Sequence, residues 1–467
     1  MGAVRIAYYG DDFTGSTDTL SVAVRGGLRA ALFLRPPSLE DLRAFGALDC
    51  VGVAGTARSW SPEDMDRELP GIYAALAATG ADVIHYKTCS TFDSAPHVGS
   101  IGRALQLGMK ALGRSTAFIV GGQPGLGRYC VHANLYARAG QDGPVYRLDR
   151  HPTMRCHPVT PMDEADLRVH LARQGLERVR SFGVDRLAAD ATPQGLDALL
   201  AEAPAAVLFD VLNQAHLRAI GRLLWDRISR YGGPLLLAGP SGVEQALLAG
   251  RTASGALKDT KQASSEGGRA ASHADGRDEP PGVAGRLPSP VDCTFVVAGS
   301  RSPVTAQQVQ RAREAGFTLL DIDPVCAAAH AACTDGGAYC QDLATRAVHV
   351  LQEGRSVVAN TTLAGEAPSG SGRDLALFAG QLMRQVLRRH RLARVGFAGG
   401  DTSSLAVQAW DVRALTLAYT LSPGVAVCTM HADDPALDGV ELMLKGGQMG
   451  PPDVFEALRQ GRCTQAD

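Results

Sequence analysis

The chain has 467 residues, of which 45% are hydrophobic and 20% are charged, and its formal net charge at pH 7 is −2. The length predicts two or three domains, and the balanced composition excludes disordered, collagen-like and coiled-coil proteins. A charge so close to zero provides no field to hold nucleic acid or an anionic membrane, and no apolar run approaches the roughly 20 residues of a spanning helix. We therefore expect a soluble, cytoplasmic protein without a nucleic-acid or membrane partner. Whether it forms a homodimer is left open.

Apolar strand-like runs alternate with amphipathic helical patterns through the first 250 residues. The predicted strands are Val4–Tyr8, Ala30–Leu34, Cys50–Ala54, Asp82–Tyr86, Ala117–Val120, Ala206–Val211 and Pro234–Ala238. The predicted helices are Pro62–Ala78, Val98–Leu112, Met162–Gln174 and Gln214–Arg230. Such an order predicts a mostly parallel sheet with helices on its faces. Residues 123–161, rich in Gly, Pro, His and aromatic side chains, predict loops and a small antiparallel appendage at the mouth of the sheet.

A change of composition divides the chain. Residues 251–290 are rich in Gly, Ser, Ala, Pro and charge, which is typical of a flexible linker or surface loop. The alternation then resumes with strands Thr294–Ala298, Phe317–Ile322, Ser356–Asn360 and Val395–Ala398 and with helices from about Pro303, over Gln341–Gln352 and over Asp374–His390. The predicted fold is two α/β domains with mostly parallel sheets, residues 1–250 and 291–467, around a cleft suited to a small molecule.

The first predicted strand runs directly into Asp11 and Asp12, and a helical pattern follows. Ligands commonly bind at the carboxyl ends of strands in open α/β sheets, and adjacent carboxylates repel, so at least one requires a hydroxyl, a cation or a metal as partner. The simpler alternative is that Asp12, Thr14 or Ser16 only caps the helix. A cap needs one such residue, so the pair predicts a polar site that Asp18 could complete.

Lys87 directly follows the fourth predicted strand, and hydroxyl residues and Asp93 come just after it. Only five of the 46 basic residues are lysine, and a compact ammonium is not interchangeable with a guanidinium at a tight site. We expect Lys87 to take the carboxylate of a polyhydroxylated acid and Arg58, after the third strand, to add a bidentate contact. The alternatives are a solvated Arg58 and a nucleophilic Cys89, for which the sequence identifies no base.

Residues 151–161 contain His151 and His157, each followed by proline. Metal ligation is one interpretation of the two histidines, but the prolines favour a rigid recognition loop. The ten cysteines form no CxxC pair, so neither a zinc ribbon nor a redox site is expected. No metal-ligating residue is predicted.

Three glycine clusters follow predicted strands in the second half, at residues 299–303, 399–404 and 444–450. Paired glycines let a backbone approach phosphates, and a helix N-terminus supplies free N–H groups and the positive end of a dipole. Each cluster alone is a weak indication, but three in one domain predict a nucleotide pocket. No Walker sequence and no GxGxxG fingerprint is present.

In these motifs the chain resembles the four-carbon acid sugar kinases over essentially its full length. The first half contains Asp-Asp-Phe-Thr-Gly-x-x-Asp (Asp11 to Asp18), Lys-x-x-Ser-Thr (Lys87 to Thr91) and His-Pro-Val-Thr-Pro-Met (His157 to Met162). The second half contains Gly-Ser-x-Ser-Pro-Val-Thr (Gly299 to Thr305), Gly-Gly-Asp-Thr (Gly399 to Thr402) and a Lys-x-Gly glycine loop (Lys445 to Gly450). Several separated motifs in the right order make the resemblance specific.

The resemblance implies an N-terminal domain that binds a sugar acid and a C-terminal domain that binds ATP. The implied reaction is transfer of the γ-phosphoryl group to the terminal hydroxyl of a tetronate or 3-oxo-tetronate, with Mg²⁺ bridging the phosphates. The implied substrate contacts are Asp11, Asp12, Arg58, Lys87, Thr88, Cys89 and Ser90, and one of the two aspartates, Asp12 or Asp11, would accept the hydroxyl proton. The implied ATP contacts are Ser300, Ser302, Gly399, Gly400, Asp401, Thr402, Gly446 and Gly447.

The chain departs from the family pattern at two places. Familiar members carry Asp-Ser-Thr-Leu-Arg-Gly-Asn near the lysine, whereas Cys89 to Ser94 here include no arginine. The final loop reads Lys-Gly-Gly-Gln-Met-Gly where Lys-Ser-Gly-Gly-Phe-Gly is usual. A divergent branch is therefore expected, and a branched acid such as 3-oxo-isoapionate is an alternative substrate. The rival classes are a sugar-acid dehydrogenase or aldolase on the same architecture and a non-catalytic sugar-acid sensor.

Overall fold

The computed structural model describes residues 5–140, 143–157, 159–187, 191–253, 288–300, 302–333, 337–361, 372–408 and 410–463, without the side chains of residues 252–253 and 401–404. The predicted linker, 251–290, falls almost entirely on residues outside these ranges. No helix in the described ranges is both long enough and apolar enough to cross a membrane.

The first half alternates strands with helices. Its strands are β1 (Ile6–Gly10), β2 (Ala30–Phe33), β3 (Cys50–Ala54), β4 (Val83–Lys87), β5 (Ala117–Val120), β6 (Arg128–Val131), β7 (Asn134–Arg138), β8 (Val145–Arg147), β9 (Val179–Phe182), β10 (Ala206–Phe209) and β11 (Leu235–Gly239). Its helices are α1 (Phe13–Arg25), α2 (Leu39–Ala44), α3 (Pro62–Ala78), α4 (Ile101–Leu112), α5 (Leu167–Ala172), α6 (Pro193–Leu200), α7 (Gln214–Tyr231) and α8 (Gly242–Ala253).

The second half repeats the alternation and adds a hairpin. Its strands are β12 (Phe295–Ala298), β13 (Thr318–Asp321), β14 (Val357–Asn360), β15 (Arg394–Ala398), β16 (Val412–Ser422), β17 (Val425–Ala432) and β18 (Glu441–Lys445). Its helices are α9 (Pro303–Glu314), α10 (Pro324–His330), α11 (Gly337–Gln352), α12 (Gly372–Arg389), α13 (Gly400–Gln408) and α14 (Val454–Gln460).

Fifteen of the described strands form one continuous sheet in the order β13-β14-β12-β15-β18-β17-β16-β2-β3-β1-β4-β11-β5-β10-β9. Pairing is parallel from β13 to β18 and from β2 to β9 in this order. The antiparallel hairpin β16–β17 lies between these two parallel parts, with β17 antiparallel to β18 and β16 antiparallel to β2. The long hairpin was missed by the sequence analysis, because its strands were not recognised between the glycine clusters. The joint is short, since only Ala414 and Leu415 pair with Phe33 and Leu32.

Burial explains why the parallel strands are apolar throughout. Every residue of β1, β3, β4 and β11 is buried, as expected for a sheet with helices on both faces. Helix ends follow local capping: α3 begins after Ser61, whose side chain accepts a hydrogen bond from the Asp64 amide, and has Pro62 in its first turn. The helix predicted over Met162–Gln174 is shorter, because Asp166 caps α5 and delays its start.

The predicted antiparallel appendage is present as the three-stranded sheet β6–β7–β8. Its first turn places His132 and Ala133 at positive φ, 47° and 66°. The buried Asp210 carboxylate accepts hydrogen bonds from both amides, at 2.6 and 2.9 Å, and one from the Val184 amide at 3.1 Å. This carboxylate therefore anchors the appendage to the main sheet.

Candidate active site between the two halves

Three adjacent strands of the first half, β3, β1 and β4, bring most of the predicted acid-binding residues to one edge of the sheet. Backbone hydrogen bonds join the three strand ends, from the Gly55 amide to the Gly10 carbonyl and from the Asp11 amide to the Lys87 carbonyl, both 2.9 Å. The Arg58 amide donates to the Asp11 carbonyl at 3.1 Å. The register of the sheet thus sets the spacing of the charged side chains.

Arg58 is shared by the two aspartates. Its Nη2 lies 2.8 Å from Asp11 Oδ1 and 2.9 Å from Asp12 Oδ1, and its side chain is 19% exposed. The alternative of a solvated surface arginine is therefore wrong. Asp12 also caps α1, accepting hydrogen bonds from the Gly15 amide at 3.0 Å and from the Thr14 hydroxyl at 2.5 Å. Asp12 therefore both caps α1 and belongs to the charged site.

The two neighbouring carboxyl groups have different acidities. Burial raises the pKa of Asp11 to about 6, and the charge of Asp12 adds to the rise while Arg58 and Lys87 oppose it. Burial also acts to raise the pKa of Asp12. This effect is outweighed by the charges of Arg58 and Lys87 and by the hydrogen bonds from Thr14 and Gly15, so the pKa of Asp12 lies below its ordinary value. Asp12 is therefore a firmly ionised carboxylate, and Asp11 titrates close to neutrality.

Lys87 lies beneath Asp12 rather than in open space. Its Nζ donates to the Thr88 carbonyl at 2.8 Å, and the residue is 3% exposed. A Cβ on Gly15 would lie 2.5 Å from both Lys87 Nζ and Asp12 Oδ1, so the ammonium is within a few ångströms of the carboxylate and only glycine leaves room for it. Lys87 thus neutralises the Asp12 side of the cluster.

The turn after β4 is folded around the Cys89 thiol. The Asp93 amide donates to Cys89 Sγ at 3.1 Å, and Thr91 Oγ1 lies 3.3 Å from it. Burial, with the charge of Asp93, raises the pKa of Cys89 to about 12. Cys89 is therefore a neutral thiol that organises the turn. A neutral thiol is a poor nucleophile, which argues against a nucleophilic Cys89.

Three other adjacent strands, β12, β15 and β18, carry the glycine clusters of the second half to one edge. The Gly299 and Ser300 amides donate to the Ala398 carbonyl at 3.0 and 3.1 Å, and the Gly399 amide donates to the Lys445 carbonyl at 2.9 Å. Gly399 has a φ of +142°, which a side chain rarely adopts. The three turns form one backbone surface at this edge of the sheet.

A polar lattice under this surface holds the last glycine loop. Gln308 Nε2 donates to the carbonyls of Met449, Gly450 and Pro451, each at 3.0 Å. Thr305 Oγ1 donates to the Gly447 carbonyl at 2.9 Å and receives a hydrogen bond from Lys445 Nζ at 3.2 Å. Burial lowers the pKa of Lys445 to about 7. The loop is thus fixed by side chains from α9 and β18.

One cavity of about 1250 Å³ is lined by both edges. Its first wall includes Asp12, Thr14, Arg58, Cys89, Thr91 and Asp93, and its second wall includes Gly299, Ser300, Ser302, Gly399, Gly400, Gly446 and Gly447. A Cβ on Gly400 would lie 3.8 Å from Asp12 Oδ2, so the N-terminus of α13 directly faces the Asp12 carboxylate. The two predicted binding regions therefore face each other across this cavity.

The cavity separates the predicted residues into groups. Asp11 and Lys87 lie behind Asp12, and Thr88 and Ser90 do not line the cavity. Asp401 and Thr402 belong to α13, but their side chains lie outside the described part of the chain. Six further residues line the cavity but were not predicted as site residues: Thr14, Thr91, Asp93, Arg128, Arg138 and Thr153. Thr14 and Thr91 lie within the sequence motifs and Asp93 lies just after one, so the motifs could have identified these three residues.

The appendage contributes the histidines. His151 Nδ1 accepts hydrogen bonds from the amides of Thr153 and Met154, both at 3.2 Å, and His157 Nδ1 accepts one from the Thr160 amide at 3.1 Å. Both histidines line the cavity and fold their own segment through these bonds. Burial also lowers the pKa of His151, so its imidazole is neutral at pH 7. The histidines therefore order a loop at the cavity wall.

Comparison with known proteins gives the family. A family model described as a sugar-binding N-terminal domain matches residues 6–247, and one described as a nucleotide-binding C-terminal domain matches residues 295–455. The chain belongs to the four-carbon acid sugar kinase family. The predicted fold class of two α/β domains and the predicted enzyme class, a sugar-acid kinase, are thereby confirmed.

Similar proteins match this chain over both of its domains. A 3-oxo-isoapionate kinase from Paraburkholderia graminis is 38% identical over 99% of this chain and 95% of its own length. A 3-oxo-tetronate kinase from Pseudomonas fluorescens is 30% identical over 98% and 97%. A crystal structure of a Salmonella typhimurium LT2 protein superposes with a TM-score of 0.72 at 23% identity, covering 97% of this chain and 98% of that one, and supports the fold.

Proposed function

We propose that this kinase transfers the γ-phosphoryl group of ATP to the terminal hydroxyl of a 3-oxo sugar acid. The observation that carries the proposal is the single cavity in which the Asp12 carboxylate faces the glycine turns of the nucleotide-binding half. Phosphoryl transfer depends mainly on positioning and on charge neutralisation, and this cavity supplies both.

Asp12 is the residue proposed to accept the hydroxyl proton. It lines the cavity, whereas Asp11 is 1% exposed behind it. Arg58 and Lys87 keep Asp12 ionised, so a free lone pair is available to the substrate hydroxyl at all physiological pH values. A weakly basic carboxylate is sufficient, because in a loose transition state the hydroxyl loses its proton late, when it has become acidic.

The nucleotide phosphates are proposed to lie on the glycine turns. The glycine turns at Gly299–Ser300, Gly399–Gly400 and Gly446–Gly447 provide a backbone surface without bulky side chains, and the N-terminus of α13 adds the positive end of a helix dipole. The γ-phosphoryl group would then point toward Asp12, since a Cβ on Gly400 would lie 3.8 Å from Asp12 Oδ2.

Mg²⁺ is proposed to enter with ATP. The described residues contain no group of three or more His, Cys, Asp or Glu arranged to hold a metal, and Mg²⁺ in kinases is held largely by phosphate oxygens and water with one or two carboxylates. Asp12 and Asp93 are the carboxylates of the cavity wall that could take part. When bound, the ion would neutralise charge developing on the phosphates.

The substrate class follows from the relatives and the divergent turn. Because the 38% identical relative is a 3-oxo-isoapionate kinase and the 30% identical one is a 3-oxo-tetronate kinase, we propose the branched acid first and the linear one second. The test is ADP release with Mg²⁺ across linear four-carbon and branched five-carbon acids and their 3-oxo forms. Turnover with one 3-oxo acid supports the proposal. ATP binding without turnover on any acid would favour a sensor.

Two further predictions accompany this proposal. Whether the chain forms a homodimer stays open and is decided by sedimentation equilibrium of the purified chain. A cytoplasmic location is expected and is tested by fractionation of the producing cell. A domain boundary within residues 251–290 is proposed as well, since the two family matches end at 247 and resume at 295.

A further inference from the structure

Two arginines of the appendage reach the cavity that holds Asp12. Arg128 begins β6 and Arg138 ends β7, on neighbouring antiparallel strands in which Arg128 pairs with Ala137, the residue before Arg138. Both line the cavity. Leu126, in the turn before β6, lies 3.8 Å from the position of a Cβ on Gly424, so the appendage also touches the nucleotide-binding half.

Neither arginine forms a salt bridge with a carboxylate in the described part of the chain. Arg128 Nη1 donates only to the Leu126 carbonyl, and Arg138 Nη1 donates to the Gly143 carbonyl at 3.1 Å. Arg128 Nε is buried without a hydrogen-bond partner. Burial lowers the pKa of Arg128, with Cys89 and Asp93 acting in the opposite sense. A half-buried guanidinium with an unused, buried Nε donor is costly unless an anion completes it.

The other cations of the first wall are already committed. Arg58 is held by both Asp11 and Asp12, and Lys87 donates to the Thr88 carbonyl beneath the cavity. These two cations balance the two aspartates. The two appendage arginines, by contrast, face a single carboxylate, Asp93, and the wall is left with one positive charge in excess.

We propose that Arg128 and Arg138 bind the carboxylate of the sugar acid, which makes the three-stranded appendage the element that selects acids. The inference rests on the proposed kinase function and extends it to the substrate end remote from phosphoryl transfer. A planar guanidinium matches a carboxylate with two parallel hydrogen bonds, and the single positive excess matches a monoanion.

Asp93 fits the same arrangement. It is 9% exposed, lines the cavity, and its Oδ1 is buried without a hydrogen-bond partner. A carboxylate oxygen can only accept, so it suits a substrate hydroxyl near the acid end. The sugar acid would then extend from Arg128 and Arg138, past Asp93, to Asp12.

The experiment compares Arg128→Gln and Arg138→Gln with the wild type and with Arg147→Gln. Arg147 is a matched control, because it lies on β8 of the same appendage, is 45% exposed, pairs with Asp149 and does not line the cavity. Steady-state KM and kcat are measured for the preferred acid, for its neutral primary amide and for ATP. Circular dichroism and melting temperature establish that each variant is folded.

We expect KM for the acid to rise by about 10- to 100-fold in either cavity variant, because each variant loses one charge-assisted contact. KM for ATP and kcat/KM for the amide stay within about twofold, so the preference for acid over amide collapses. Arg128→Lys should recover part of the preference, because it restores charge without the fork. Arg147→Gln should behave as the wild type.

Two results would overturn the inference. One is an unchanged KM for the acid in a folded Arg128→Gln or Arg138→Gln variant of an active enzyme. The other is an equal loss of kcat/KM for acid and amide, which would mean that the arginines only support the loop. A wild type inactive on every acid would instead contradict the proposed function. If Arg128→Gln does not fold, Arg138→Gln decides the question.

Discussion

The two walls of the cavity recognise their ligands by different means. The first wall uses charged side chains at strand ends, with Asp11, Asp12, Arg58 and Lys87 balanced against one another within a few ångströms. The second wall presents mainly backbone, because glycines occupy the three turns that border the cavity. A glycine backbone without side chains admits any nucleotide phosphate, whereas the side chains of the first wall can be exchanged to suit a new acid. Substrate divergence within the family is therefore expected in the first wall.

The largest expected effect comes from Asp12→Asn in the first wall. Asparagine keeps the cap of α1 but cannot take a proton, so kcat should fall by about 10²- to 10⁴-fold while the affinity for ATP changes by no more than a few fold. Single-turnover phosphorylation and nucleotide binding by calorimetry measure the two quantities. Asp11→Asn is the matched control and should lose much less. An active Asp12→Asn with an inactive Asp11→Asn would move the role to Asp11.

A second substitution tests the backbone wall. A Cβ on Gly447 would lie 2.2 Å from Ser300 Oγ, so Gly447→Ala must displace the Ser300 hydroxyl and crowd the backbone surface, and KM for ATP should rise by about tenfold or more with KM for the acid little changed. Gly71→Ala is the control, since a Cβ there meets nothing within 4 Å in the exposed face of α3. Equal rises in both KM values for Gly447→Ala would show that the walls are not separable.

The pH profile is the third test and addresses the first wall alone. Because burial raises the pKa of Asp11 to about 6, Asp11 takes up a proton as the pH falls through that value, and one of the two counter-charges of Arg58 is lost. We expect kcat/KM for the acid to be flat above about pH 7 and to decline below about pH 6. The acid limb should be absent in Asp11→Asn. A wild-type profile that stays flat to about pH 5 would contradict this role.

The smallest effect is expected under the second wall. Gln308→Leu removes the amide that donates to three carbonyls of the final glycine loop, so the loop should loosen and KM for ATP should rise a few fold. Stability should fall by about 1–3 kcal/mol, since buried carbonyls lose a partner. Urea unfolding and ATP titration measure the two. A change in the KM for the acid alone would contradict the assignment of this loop to the nucleotide.

Much of the fold could be predicted from the sequence, because buried parallel strands are continuous apolar runs and helices carry their own caps. Strand Ala117–Val120 was predicted with its observed bounds, and Cys50–Ala54 likewise. The antiparallel hairpin β16–β17 and the fusion of both halves into one sheet were not predicted. They depend on pairing between β16 and β2, whose residues are about 380 positions apart and whose contact no local pattern records.

The same limit applies to the site. Asp12, Arg58 and the glycine turns follow strands directly, so their convergence could be inferred from strand order. Arg128 and Arg138 enter the cavity from an appendage whose placement depends on the Asp210 anchor, a side chain 80 positions from Cys130. Lys87 was expected to meet the carboxylate of the acid, but its ammonium lies with Asp12 and the Thr88 carbonyl. Only the packed structure shows which cations are already neutralised.

The most direct test of the shared cavity is the identity of the phosphorylated product. The enzyme would be incubated with ATP, Mg²⁺ and the preferred 3-oxo acid, and the product examined by mass spectrometry and by phosphorus–proton coupling in NMR. A product heavier by one phosphoryl group, with phosphorus coupled to the protons of the terminal carbon, is the predicted result. ADP formed without a phosphorylated acid, or phosphate attached at the carboxylate, would contradict the placement of the terminal hydroxyl beside Asp12.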